Sequence, residues 1–152
     1  MENEIINKVA NSALKTIDLE RLYPSGKRVL FDIKNWLFEE LILKEKDFRA
    51  AVEAHDWTQY QDNFVAVTCT ADAIIPSWAY MLITTYVSPF AKKIVVGNLS
   101  ALETSIFQDL IAHFEVEDFV GKPVIIKGCS SKPIPETAYI QLIEKLQPVV
   151  KS

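Results

Sequence analysis

The 152-residue chain is 49% hydrophobic and 24% charged, with a formal net charge of −4, the make-up of one globular domain with a sizeable core. The acidic balance argues against nucleic acid and against an anionic membrane surface as partners; both reward basic patches, and the adjacent basic pairs are only Lys27-Arg28 and Lys92-Lys93. Met1-Glu2-Asn3-Glu4 is acidic and lacks the apolar run of a secretory signal, so a cytoplasmic location is expected, where two cysteines mean free thiols, metal ligands or redox chemistry before a structural disulfide.

From Glu2 to Leu14, Ile5, Ile6, Val9, Ala10, Ala13 and Leu14 fall at helical spacing and predict an N-terminal amphipathic helix. Thr16 to Leu19 reads as a short extended piece, and Tyr23-Pro24-Ser25-Gly26 as a turn. Arg28 to Ile33 reads as a strand or the start of a helix; from Lys34 onward Trp36, Leu37 and Leu41 follow a helical pattern. A further helix over Glu45–His55 places Phe48, Ala51 and Val52 inside and pairs Glu45 with Arg49 on its solvated face. His55 falls at its end, where the dipole favours a cation, and Thr58 to Asn63 is a polar loop.

The remainder alternates strand and helix three times. Phe64–Cys69, Lys93–Gly97 and Pro123–Lys127 are the strands. Pro76–Tyr86, a helix opened by a Ser100–Glu103 capping box, and Pro135–Leu146 are the helices. Ala73–Ala91 is uncharged over nineteen residues, but Pro76 and Pro89 bracket it as a buried helix rather than a membrane span. Short apolar strands separated by helices predict an α/β fold: a small, mainly parallel sheet flanked by helices, with an internal strand–turn–helix repeat and an N-terminal helical segment. A single domain is expected over residues 1–152, helical to about residue 62 and repetitive from about 63 to 150.

The chemistry concentrates in two similar stretches. One runs from Cys69 through Ile75-Pro76-Ser77-Trp78-Ala79-Tyr80, the other from Cys129 through Ile134-Pro135-Glu136-Thr137-Ala138-Tyr139. Both follow an apolar strand, and ligands of parallel sheets gather beyond the carboxyl ends of strands. Six residues separate Cys69 from Pro76 but five separate Cys129 from Pro135. A helix N-terminus favours thiolate over thiol, and Lys127 adds to this for Cys129. Asp72 opposes a thiolate at Cys69 or serves as an oxygen ligand beside it. Two buried structural cysteines are the competing reading. Two thiols fall short of a zinc or iron site, so Asp72, a histidine, water or another chain has to complete one. Tyr80 and Tyr139 read first as packing residues with tied hydroxyls; His55 and His113 read as a helix-end and an edge residue. No glycine-rich phosphate loop or Gly-x-Ser-x-Gly elbow is present.

The runs KEKDFRAAVEAHDWTQYQ, VTCTADAIIPSWAYML, PFAKKIVVGNL and KGCSSKPIPETAYIQL resemble the domain of unknown function 2480 family of bacterial proteins, from Asn7 to Ser152. The resemblance implies a gene neighbourhood with the SUF iron–sulfur assembly system, and a cysteine-bearing tail in relatives beyond the position of Lys151-Ser152. The resulting expectation is an accessory protein of iron–sulfur assembly that holds zinc, iron or an iron–sulfur cluster, or a sulfur atom, at Cys69, Cys129 and Asp72. Its expected partners are iron–sulfur assembly proteins, and a homo-oligomer is compatible with it. A thiol enzyme (sulfurtransferase or oxidoreductase) and an interaction module with structural cysteines are the alternatives.

Overall fold

The structure, a computed structural model, describes residues 13–128 and 131–152. The helix expected over Glu2–Leu14 therefore falls almost wholly outside the described residues, and Cys129 lies outside them too. The chain divides into two compact units. Pro24–Ile106 forms one, and it is inserted in the sequence of the other, which combines the chain up to Tyr23 with Phe107–Ser152.

The inserted unit contains three parallel strands, β2 (Arg28–Asp32), β3 (Phe64–Thr68) and β4 (Lys93–Val96), in the order β2-β3-β4. β1 (Lys15–Asp18) belongs to the other unit. Helices α1 (Glu45–Ala54) and α2 (Ser77–Val87) make the two crossovers, and α3 (Leu99–Ala112) follows β4. Crossovers of one hand between successive neighbours put both helices on one face. On that face Phe31, Val65 and Val67 meet Phe48 and Val52 of α1 and Ala79, Ile83 and Val87 of α2. The opposite face of β3, Phe64 and Ala66, lies under Leu102 and Ile106 of α3. Because β3 is covered on both faces, its run Phe64–Val67 is buried throughout, which is why it reads as continuous apolar sequence rather than as an alternation.

The other unit pairs β1 in parallel with β5 (Val124–Lys127). Ile17, Val124 and Ile126 face Phe107 and Ile111 of α3 and Ala138, Leu142 and Leu146 of α4 (Glu136–Leu146). The two units are copies at a constant offset. Phe107 and Ile111 stand 59 residues after Phe48 and Val52, as Ala138, Leu142 and Leu146 do after Ala79, Ile83 and Val87, and all ten are buried. Pro76 and Pro135 precede their helices at nearly the same backbone angles, φ −69° and −68°. The second half of α3 thus occupies in its unit the place of α1 in the other.

Three expectations are corrected. The helix from Lys34 onward is a single 3₁₀ turn, Ile33–Trp36, started by Asp32. Trp36 is drawn into a cluster of rings with Phe31 (4.9 Å) and Phe48 (5.9 Å), and the chain then reverses through Glu39 and Glu40, both at positive φ (52° and 58°). Packing here overrides a helical spacing of only two turns. Second, Asn98 rather than Ser100 caps α3, its Oδ1 accepting from the Ala101 N–H at 2.8 Å. Glu103 is drawn instead into a bidentate pair with Arg28, at 2.9 and 3.1 Å, with both side chains nearly buried; a planar guanidinium fork matches a carboxylate better than a cap can. Third, His55 does end α1, its N–H bonded to Ala51 O, but burial among Phe31, Trp36 and Trp57 lowers its pKa, against the opposing pull of Asp56. Desolvation thus disfavours the charged form that a helix end would favour, and His55 Nε2 lies 2.8 Å from Tyr60 Oη. Among the described residues no helix is long and apolar enough to cross a membrane.

Phe107 is fully buried at the centre of its unit. Phe107→Ala is expected to cost about 3–5 kcal/mol, measured by urea denaturation; a loss below about 1 kcal/mol, the size of a surface change, would contradict this packing.

Candidate functional site

The carboxyl edge of the three-stranded sheet is organised by Asp32, the last residue of β2. Its Oδ1 accepts from the N–H groups of Lys34 (3.0 Å) and Thr70 (3.1 Å), and its Oδ2 from the Thr70 hydroxyl (2.5 Å). Burial pushes this carboxyl up, but the Thr70 hydroxyl, the two N–H groups and the Lys34 charge together outweigh it and hold the pKa below the ordinary value. These bonds tie the loop leaving β3 to the end of β2.

Cys69 is the first residue of that loop. It is half-buried, with its thiol 3.8 Å from the Ala71 carbonyl oxygen that accepts from it. Tyr80 projects from α2 towards it: burial raises the Tyr80 pKa, and the charge of an ionised Cys69 raises it further. Asp72 is exposed. Among the described residues no three His, Cys, Asp or Glu side chains gather to hold a metal. Of the three expected ligands, then, Cys69 lies at a strand end beside Tyr80, Asp72 lies on the surface of the following loop, and Cys129 is outside the described residues.

Strand register shows how the two copies correspond at this edge. Lys15 is paired with Val124, and Val29 with Val65. Asp18 therefore stands in its unit where Asp32 stands in the other. It makes the same local bond, its Oδ1 accepting from the Glu20 N–H at 3.0 Å, and each aspartate precedes a fully buried aliphatic residue, Leu19 or Ile33. The 59-residue offset assigns Gly128 as the counterpart of Cys69 and Thr70 as that of Cys129. Matching cysteine to cysteine slips the copies by one residue, which accounts for the unequal spacing to Pro76 and Pro135. The tyrosines do correspond. Tyr139 reaches back to Gly128, its hydroxyl so close to the glycine that any side chain there would collide with it, and Tyr80, at the matching place, is within electrostatic reach of Cys69. Asp18, Asp32 and Gly128 were not singled out by sequence. The signal for the aspartates was the shared string of two apolar residues around an acid, Ile17-Asp18-Leu19 and Phe31-Asp32-Ile33.

Beside β1 and β5 lies an open cavity of about 410 Å³, lined by Asp18, Arg21, Lys127, Phe114 and Phe119 among others. Asp18 Oδ2 lies 3.8 Å from Arg21 Nε and 4.0 Å from Lys127 Nζ. The two phenylalanine rings stack at 5.7 Å. One shielded carboxylate, two exposed cations and an aromatic wall suit a small anionic ligand with an apolar part.

Parallel strands with helical crossovers, each sheet carrying its polar groups at the carboxyl ends, define an α/β protein built from two related units. The chain belongs to the family described as protein of unknown function (DUF2480), matched over residues 3–152. No match was found among curated proteins or among solved structures.

Two outcomes test the edge. The lowered pKa of Asp32 means that its contribution to stability is present above the unfolded value of about 3.9 and is lost as pH falls through the lower folded value. Thermal midpoints of Asp32→Asn are therefore expected to fall less steeply in acid than those of the parent; identical acid profiles would show the Thr70 bonds to be idle. Gly128→Ala is expected to cost about 1–3 kcal/mol through overpacking, and Tyr139→Phe in the same chain to recover part of that loss in a double-mutant cycle. Additive costs would separate the two residues.

Proposed function

We propose that the protein is an accessory protein that holds a soft metal ion or a sulfur atom at Cys69. The observation carrying this reading is the placement of Cys69: a half-accessible thiol beyond the carboxyl end of a central parallel strand, on a loop fixed by Asp32 and Thr70 and flanked by Tyr80. Strand ends of this kind are where parallel sheets bind ligands, and thiolate selects copper(I), zinc, iron–sulfur centres and sulfane sulfur. The iron–sulfur setting rests on the resemblance alone. Asp72 and Cys129 enter this reading as further donors, with assembly proteins as the partners.

A second reading, an interaction module, is favoured by the reversal at Glu39-Glu40. Two consecutive non-glycine residues at positive φ are costly, and they present Phe38, Leu41 and Ile42 to solvent at 45%, 57% and 56% exposure.

Protein prepared without oxygen is expected to carry metal or acid-labile or sulfane sulfur, and Cys69→Ser, at a half-buried residue packed on the edge of the core, to lose at least half of it while costing no more than about 1 kcal/mol of stability. Elemental and sulfide analysis beside a urea melt decides it: full retention in Cys69→Ser removes Cys69 from the site, and a large stability loss without any cargo marks it as a packing residue.

A further inference from the structure

The cavity beside β1 and β5 lies where the other unit is filled by rings. Asp18 matches Asp32, and the turn after each strand is the same: Tyr23 N donates to Glu20 O at 3.2 Å as Leu37 N does to Lys34 O at 3.2 Å. Leu22 therefore stands for Trp36, Arg21 for Asn35 and Ile17 for Phe31. The 59-residue offset carries on past α3. The 3₁₀ turn Glu117–Phe119 follows it as Trp57–Tyr60 follows α1, and Gly121 and Asp62 share a positive φ, 70° and 59°. Phe114 and Phe119 thus stand for His55 and Tyr60, and Lys127 for Thr68.

The aromatic wall is alike in both copies. Phe114 and Phe119 stack at 5.7 Å and 27°, His55 and Tyr60 at 5.7 Å and 28°. What differs is the ring in front of that wall. Trp36 meets His55 edge-on at 5.3 Å and Phe31 at 4.9 Å. Leu22 and Ile17 carry no ring, and both line the cavity of about 410 Å³. Interiors are otherwise close-packed, so the space that the copy gives to an indole is here left to a ligand. Charge differs as well. The neutral Asn35 and Thr68 are replaced by Arg21 and Lys127, two cations against the single carboxylate of Asp18. Asp18 Oδ2 lies 3.8 and 4.0 Å from their nitrogens, beyond the roughly 3.2 Å of an N–H···O hydrogen bond. It gathers both cationic heads without consuming their donors.

We propose that this cavity binds a small aromatic carboxylate. Its ring takes the place of the Trp36 indole, edge-on to Phe114, a preferred arrangement of aromatic pairs. Its carboxylate meets Arg21 and Lys127, a guanidinium and an ammonium suited to an oxyanion. The Asp18 carboxylate beside them disfavours a second negative charge on the ligand, which selects a monoanion over a phosphate dianion. The site belongs to the unit without Cys69 and does not depend on a cargo at that thiol.

Benzoate, indole-3-carboxylate and 2-naphthoate, each titrated into the full chain to about 1 mM, the weak end of specific binding, test the proposal by calorimetry and by NMR of the protein side chains. At least one is expected to saturate and to shift the resonances of Leu22, Phe114 and Phe119. It is expected to bind about fivefold more tightly than the same ring without its carboxylate, the upper end for a partly exposed ion pair. Lys127→Gln, at a side chain 55% exposed, is expected to weaken binding by a similar factor with the thermal midpoint unchanged. Leu22→Trp, which restores the ring of the copy, is expected to abolish binding without lowering the midpoint. Equal affinity for the uncharged ring would overturn the contact with the cations. Inorganic phosphate binding as tightly as the acids would overturn the role of the ring. Binding untouched by Lys127→Gln, or no saturation by any of the three acids, would overturn the site itself, whether or not Leu22→Trp folds.

Discussion

A strand in a parallel sheet offers half of its backbone groups to each side, and each half needs a partner. The rest of this structure follows from that requirement. β3 meets it with β2 and β4, and α1, α2 and α3 close both of its faces. The price is a long connection between neighbouring strands, since parallel neighbours cannot be joined by a tight turn. In the three-stranded sheet those connections are α1 and α2, and α1 to α4 each turn an apolar side to a sheet: Phe48 and Val52, Ala79 and Ile83, Phe107 and Ile111, Ala138 and Leu142 are the same solution used four times.

The ends of the strands are where the two copies keep their polar residues and where they diverge. An aspartate ends the first strand of each copy and accepts from the amide two residues on. A tyrosine from the following helix stands near the residue after the second strand, packed on Gly128 in one copy and within electrostatic reach of Cys69 in the other. That single position decides the local chemistry. With cysteine, a thiol stands beside the tyrosine; with glycine, the hydroxyl occupies the space that a side chain would take. Neighbouring carboxylate and cations differ as well: Asp32 is locked to Thr70, whereas Asp18 lies beside Arg21 and Lys127 at a cavity. Two related units thus present different groups from corresponding places.

The legible parts of the sequence were those in which a local period is enforced by burial. Phe64–Thr68, Lys93–Val96 and Val124–Lys127 are strands, as their apolar runs predict, and Glu45 with Arg49 forms the expected pair at 3.1 Å. The reading went astray where a long-range partner competes with a local one. Glu103 has the right spacing to return a cap to Ser100, but Arg28, distant in sequence, offers two hydrogen bonds in a nearly dry environment. Trp36 and Leu37 have helical spacing, but rings contributed by Phe31 and Phe48 hold the indole. His55 sits where a dipole favours its charge, yet the aromatic residues around it exclude the water that the charge needs.

Sequence by itself determined the class of the protein: an α/β chain with parallel strands, built on a repeated strand–turn–helix element and bearing its cysteines near strand ends. Those features rest on periodicity, on proline at helix starts and on matching strings, all of which are local. Tertiary structure decided the register of the repeat. Only strand pairing aligns Asp18 with Asp32, and packing agrees with the 59-residue offset that sets Gly128, not Cys129, in the place of Cys69. Register lies beyond a local reading because strand pairing is written in hydrogen bonds between distant segments rather than in the residues of any one strand.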